Sequence, residues 1–156
     1  FQITLNKSYN TNSLLDDLRN LYKYTGHLGK QCTFIFTDSE IKDEEFLEYL
    51  NSVLLTGEVP GLFPKDELGL MASELRPAFL KERPDDPDTT ENLVKYFIDR
   101  VRANLHIALC FSPKNAKFPE RARKFPGLIS RLPVPQRSQL LCLHNDDNDD
   151  DDDAAA

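Results

Sequence analysis

Two apolar runs in this sequence end in polar residues that could form a ligand site. The run CTFIFTD ends in Asp38, and the run LHIALCFS ends in Ser112. A carboxylate fixed at the end of a buried strand is how P-loop nucleotide enzymes reach the hydration shell of Mg²⁺. On pattern alone a structural role for Asp38 is the more frequent explanation, because aspartate favours the turns that follow strands.

A phosphate-binding loop to accompany this carboxylate is missing from the sequence. No segment matches G-x-x-x-x-G-K-[ST], whose backbone N–H groups cradle phosphates. The nearest segment, residues 26–31, has the wrong glycine spacing and carries Gln31 where the metal-binding hydroxyl belongs. It also precedes an apolar strand instead of following one. The residues therefore predict half of a nucleotide site.

Other residue types offer no clear alternative chemistry. The three histidines, at positions 27, 106 and 144, share no metal-ligand spacing, and the second lies inside a predicted strand. Ser39 and Ser112 lack the G-x-S-x-G context of a hydrolase nucleophile. The three cysteines fit neither a disulfide framework nor a zinc site. The charged run at residues 42–48 is most simply a solvated helix face.

The elements that must position these residues indicate an α/β fold with a mostly parallel sheet. The predicted strands are residues 1–5, 32–36 and 105–111. Apolar residues at helical spacing predict helices over residues 14–22, 43–56 and 64–80, the last ended or kinked by Pro77, and a fourth capped by Thr90. In such sheets ligands bind at the carboxyl ends of strands, here residues 37–40 and 112–113.

The acidity of the chain belongs to its last segment. The 156 residues include 26 acidic and 19 basic ones, and seven of the acidic residues are aspartates in the final NDDNDDDDDAAA, so the remainder is neutral. No basic stripe suggests nucleic acid, and no run approaches the ~20 apolar residues that span a bilayer. Free cysteines in apolar runs favour a reducing, cytosolic setting. With no initiator Met, the sequence is expected to start within a longer or processed chain.

Four blocks of the sequence, in order and at plausible spacings, resemble the fourth AAA+ module of dynein heavy chains, most closely the axonemal, outer-arm type. The blocks are FQITLNKSYNTNSLLDDLRNLY, TFIFTDSEIKDEEFLEYLNSVLLTGEVPGLF, NLHIALCFSP and RARKFPGLIS. Together they cover about residues 1–130, and GEVPGLF and NLHIALCFSP are the most specific. The resemblance implies an incomplete AAA+ P-loop NTPase fold, a three-layer sandwich that lacks the P-loop strand and the final strand.

The same resemblance implies roles for individual residues. Residues 34–38 resemble the Walker B strand, in which Asp38 would approach Mg²⁺ through water in an intact module. Thr37 stands where the Mg²⁺-holding aspartate is usual, and Asp38 where the water-orienting glutamate is usual. A one-residue shift would instead make Asp38 the metal-side residue and put Ser39 at the catalytic position. Ser112 occupies the sensor-1 position, where a polar side chain faces the γ-phosphate.

Two further residues, Arg121 and Arg123, lie in the basic RARKFP block. They could face a neighbouring module, although the resemblance does not make either one an arginine finger. After Ser130 the sequence departs from the family, which usually continues into a Cys/Thr-rich strand and a Trp-containing helix. We therefore expect a partial module over residues 1–130, a divergent Pro-rich segment over 131–144 and a disordered acidic tail over 145–156.

By resemblance, the chain is part of a microtubule-based, ATP-driven motor, and its module is a regulatory nucleotide site that hydrolyses weakly or not at all. The implied ligands are ATP or ADP with Mg²⁺. The implied partners are neighbouring AAA+ modules, other dynein chains and microtubules, with no nucleic acid or membrane. The implied location is the cytoplasm and cytoskeleton, in the axoneme of a cilium.

Without a phosphate cradle, the isolated chain is expected to be inactive and to bind no ATP tightly. The strand over residues 105–111 is expected to keep an unpaired, apolar edge, which would make the chain poorly soluble or marginally folded. The alternative function is a non-enzymatic α/β interaction domain whose acidic tail binds a basic partner.

Overall fold

A parallel sheet carries the two polar strand ends that the sequence singles out. The computed structural model describes residues 1–129 and 139–143. Within these ranges the strands are β1 (Cys32–Thr37), β2 (Leu105–Phe111) and β3 (Gln139–Leu143). The α-helices are α1 (Thr11–Tyr22), α2 (Glu45–Thr56), α3 (Lys65–Glu74), α4 (Arg76–Glu82), α5 (Thr90–Asn104), α6 (Phe118–Lys124) and α7 (Pro126–Ile129). None of the helices in this part of the chain is long and apolar enough to cross a membrane.

The strand order follows the α/β prediction. β1 pairs in parallel with β2, and β2 pairs in parallel with β3. The predicted strand over residues 1–5 is reduced to one parallel bridge between Gln2 and Ile35 on the other edge of β1. Beside this bridge the Ile35 N–H donates to the Phe1 carbonyl at 2.9 Å. The described residues thus form an α/β fold with a small parallel sheet, in agreement with the fold class that the sequence predicts.

The prediction of an unpaired edge on β2 is wrong. Residues Gln139–Leu143 form β3 along that edge, in a register that runs from Ile107 opposite Gln139 to Phe111 opposite Leu143. The sequence QLLCL is short and apolar, so it suits a strand better than a helix. The proposed boundary at residue 130 stays a prediction. Residues 130–138 and 144–156, which include the acidic tail, lie outside the described residues.

One face of the sheet forms the core. Phe34 and Phe36 on β1 are fully buried, and Ile107 and Leu109 on β2 are nearly so. They pack with fully buried residues of the helices, among them Leu14, Leu18, Phe46, Leu47, Leu50, Phe79, Leu93 and Phe97. Burying a large apolar side chain contributes about 1.5–3 kcal/mol, so this layer is the main source of stability.

The opposite face of the sheet is more open. Thr33 is exposed, and Ile35 retains 38% of its accessible surface. His106 lies on this face of β2, and its buried Nδ1 has no hydrogen-bond partner among the described residues. A buried polar atom without a partner costs free energy, so this face contributes less to stability than the core face.

Helix ends follow local chemistry, with small shifts from the predicted positions. Thr89, rather than Thr90, caps α5 by accepting a hydrogen bond from the Asn92 N–H. The helix predicted over residues 64–80 is interrupted at Leu75, and Pro77 lies in the first turn of α4, where a proline is tolerated; the predicted interruption near Pro77 is therefore confirmed. Gly57 ends α2 in the left-handed conformation, with φ of 74°.

The loop that follows α2 is attached to α1 by a buried tyrosine. The Tyr22 hydroxyl donates to the Gly57 carbonyl at 2.8 Å. Burial raises the pKa of Tyr22 far above its ordinary value, with a smaller contribution from the charge of Glu58. The tyrosine therefore stays neutral and keeps the GEVPGLF loop in place.

A glycine substitution pair tests the packing of α5. Gly26 lies in the π-helical turn Lys23–His27, and a Cβ added there would lie 2.6 Å from ring carbon Cε2 of Phe97 and 2.6 Å from Cγ2 of Val101. We expect Gly26→Ala to lower the free energy of unfolding by about 1–3 kcal/mol, because overpacking displaces core side chains. Urea titration followed by circular dichroism measures this change.

The matched control is Gly69→Ala in α3, where an added Cβ meets nothing within 4 Å. We expect this change to raise the free energy of unfolding by about 0.5–1 kcal/mol, since alanine favours a helix interior over glycine. Equal effects of the two substitutions would show that Gly26 is not packed as described.

Candidate functional site

The parallel pairing of β1 and β2 brings the two predicted polar ends together. Thr37, the last residue of β1, lies opposite Cys110 of β2 in the register. Asp38 follows β1 directly, and Ser112 follows β2. The Ser112 N–H donates to Oδ2 of Asp38 at 2.5 Å. A hydrogen bond to a carboxylate is among the stronger ones in proteins, and here it joins the carboxyl ends of neighbouring strands.

The second oxygen of Asp38 is also bound. Its Oδ1 accepts from Nη1 of Arg121 at 3.3 Å and from Nδ2 of Asn115 at 3.4 Å. The side chain of Asp38 keeps 26% of its accessible surface. The carboxylate is therefore oriented by donors on both oxygens and still reaches solvent.

Arg121 connects this carboxylate to a second one. Its Nε and Nη2 each lie 3.0 Å from Oε1 of Glu44, just before the start of α2. The Arg121 side chain is only 11% exposed. Arg121, which by resemblance could face a neighbouring module, is directed towards Asp38 and Glu44 in this chain.

The residues next to Asp38 form a short 3₁₀ turn, Asp38–Glu40, with its own contacts. The hydroxyl oxygens of Thr37 and Ser39 are 2.7 Å apart, so they share a hydrogen bond. The Thr37 N–H donates to Oε2 of Glu40 at 2.6 Å, and Glu40 is 3% exposed. Glu40 belongs to the predicted strand end, residues 37–40, but no individual role was predicted for it from the sequence; its carboxylate holds this turn in place.

The one chemical question at this edge of the sheet is whether the Asp38 carboxylate has the character of a cation ligand. Mg²⁺ prefers oxygen ligands and is usually held by one or two carboxylates together with waters and substrate phosphates. Asp38 offers one carboxylate of this kind, and both of its oxygens accept hydrogen bonds from Ser112, Asn115 and Arg121. In residues 1–129 and 139–143, no group of three His, Cys, Asp or Glu side chains is arranged to hold a metal.

A sizeable cavity lies elsewhere in the described residues. A groove of about 600 Å³ opens between α2, α3 and α5, with Leu68, Val94 and Ile98 among its apolar lining residues. None of the residues that contact Asp38 lines it. This groove is therefore separate from the candidate site, which is defined by its polar contacts.

Removal of the carboxylate should destabilise the strand ends. Asp38→Ala leaves the Ser112 N–H and the partly buried Arg121 without this acceptor, so we expect the free energy of unfolding to fall by about 1–3 kcal/mol. Asp85→Ala, at an exposed aspartate in the loop before α5, should change it by less than about 0.5 kcal/mol. Urea titration of both variants measures the difference, and equal losses would contradict the description of Asp38.

Comparison with known proteins identifies the family of this chain. Residues 1–135 match the family described as P-loop containing dynein motor region D4. Over 130 residues the chain is 58% identical to dynein axonemal heavy chain 5 of Mus musculus, 55% identical to dynein axonemal heavy chain 8 of Mus musculus, and 48% identical to the dynein gamma chain, flagellar outer arm, of Chlamydomonas reinhardtii. Each alignment covers 83% of this chain but only 3% of the relative. The chain therefore belongs to the D4 family of dynein motor regions, as the resemblance of its four sequence blocks predicts.

Proposed function

We propose that this chain forms part of the motor of an axonemal dynein heavy chain and contributes a regulatory nucleotide site. The observation that carries the proposal is the hydrogen bond between Asp38 and the Ser112 N–H at the carboxyl ends of two neighbouring parallel strands. Ligands of open α/β sheets bind at such strand ends. In the intact module the ligand would be ATP or ADP with Mg²⁺, because D4 modules belong to the P-loop class.

The residues of this chain would supply one side of that site. Asp38 would hold a water on Mg²⁺, and Ser112 would face the terminal phosphate. The phosphate grip would come from backbone N–H groups of a P-loop, which these 156 residues do not contain. Thr37 and Ser39 would flank the metal without replacing its carboxylate.

We expect slow ATP hydrolysis because few carboxylates are available to activate the attacking water. The usual Asp-Glu pair is replaced by Thr37 and Asp38, or by Asp38 and Ser39 in the shifted alignment. Glu40 is buried and accepts a hydrogen bond from the Thr37 N–H, so it is not free to orient a nucleophilic water. A site that binds nucleotide but lacks its general base would change conformation with occupancy, and the main hydrolysis would occur in other modules.

The partners and location proposed for the whole protein rest on its relatives. We infer neighbouring AAA+ modules of the same heavy chain as direct partners, and other dynein chains and microtubules as partners of the complete motor. The relatives are named as axonemal or flagellar dyneins, which supports the cytoskeleton of a cilium as the place of action.

Restoration of the acidic pair tests the regulatory role. In a complete heavy-chain motor whose other nucleotide sites have been disabled, Thr37→Asp combined with Asp38→Glu should raise ATP turnover by about tenfold or more. The reason is that a positioned general base contributes roughly 10²–10⁴-fold to hydrolysis. Phosphate release under steady-state conditions measures the change.

A matched control adds the same charge away from the site. Thr90→Asp at the exposed start of α5 should leave turnover unchanged. No increase in the restored variant would defeat the regulatory explanation. Absence of nucleotide from this module in the motor would defeat the nucleotide site itself and would favour the interaction-domain alternative.

A further inference from the structure

We propose that Arg121 is a positioning residue that takes its own orientation from Glu44 and holds the Asp38 carboxylate against the Ser112 N–H. The functional meaning of this arrangement rests on the proposed nucleotide site. The arrangement itself rests only on the contacts among these four residues. It would make the geometry of Asp38 depend on the position of α6, which carries Arg121.

The anchor of Arg121 is Glu44 rather than Asp38. Two guanidinium nitrogens, Nε and Nη2, lie 3.0 Å from Oε1 of Glu44, whereas one nitrogen, Nη1, lies 3.3 Å from Asp38. Because the guanidinium is planar and rigid, the two contacts to Glu44 fix the direction of Nη1. That direction points to Oδ1 of Asp38.

Asp38 needs such a donor because its terminal torsion is soft. The carboxylate of aspartate rotates over a broad range about χ2, so one hydrogen bond to Oδ2 does not define its plane. Arg121 at 3.3 Å and Asn115 at 3.4 Å are the donors to the other oxygen. Of these the arginine carries the charge, so it contributes more to the orientation.

Burial gives the contact its strength. The Arg121 side chain is 11% exposed, compared with 35% for Arg19 and 51% for Arg76 in surface ion pairs of the same chain. Asp38 is 26% exposed, and Glu44 is 40% exposed. Charges withdrawn from water are screened less, so the Arg121–Asp38 pair can influence the carboxylate where a more exposed pair would contribute little. The chain of contacts runs from Glu44 through Arg121 and Asp38 to Ser112 and joins α2, α6, β1 and β2.

The experiment follows amide hydrogen exchange at Ser112 by NMR in the 156-residue chain. Arg121→Gln should speed exchange of the Ser112 N–H by about tenfold, because its carboxylate acceptor is no longer held in place. Glu44→Gln should also speed exchange of the Ser112 N–H. Glu44 acts only through Arg121, since among the described residues its side chain bonds to Arg121 and not to Asp38 or Ser112. Arg121→Lys keeps the positive charge but loses the planar guanidinium with its several N–H donors. It should give an exchange rate of the Ser112 N–H between those of the unchanged chain and Arg121→Gln.

Two references separate positioning from general stability. The amides of Ile107 and Leu109 lie within the β2 ladder and should keep their exchange rates in each variant. Arg123→Gln, which removes the same charge from an exposed position on α6, should leave Ser112 unchanged.

The proposal is overturned if Ser112 exchange is unaffected in Arg121→Gln or in Glu44→Gln. It is also overturned if the ladder amides accelerate together with Ser112, since Arg121 would then only stabilise the fold. No nucleotide enters these measurements. A nucleotide site that fails in the motor therefore leaves this result intact, and a failure here leaves the nucleotide proposal standing.

Discussion

The parallel pairing of β1 with β2 is the constraint on which the candidate site depends. It sets Thr37 opposite Cys110, so the residues that follow the two strands come within hydrogen-bond distance. The buried side chains of both strands fix that register, because a slip of one residue would turn the apolar face towards solvent. The core of the domain thereby determines where the Asp38 carboxylate lies.

The sequence predicted well those features that depend on local, continuous apolar runs. β1 and β2 match the predicted ranges to within one residue, because compact β-prone runs bounded by turn residues leave little ambiguity. The strand predicted over residues 1–5 is only a bridge, since its pairing is decided by the neighbouring strand and not by its own alternation. β3 was missed because five residues after a proline-rich stretch carry too little pattern.

The sequence predicted part of the site. The part that it did not predict consists of contacts between residues far apart in the chain. Asp38 and Ser112 could be named because strand ends are visible in the sequence. The sequence predicted a solvated helix face for Glu44, and the family resemblance suggested that Arg121 could face a neighbouring module. Nothing local indicates that these two residues, 77 positions apart, pair with each other. Charged residues of this kind acquire their roles from long-range packing, which gives Arg121 its low exposure and Asp38 its fixed orientation.

The most direct test of the nucleotide-site assignment is a structure of a complete heavy-chain motor with Mg²⁺ and nucleotide bound. We predict that Asp38 of this module accepts a hydrogen bond from a water on Mg²⁺, with a carboxylate-to-metal distance of about 4 Å. Ser112 should lie beside the terminal phosphate. Nucleotide bound away from these two residues, or a module without nucleotide and with Asp38 turned away from the phosphate-binding edge, would contradict it.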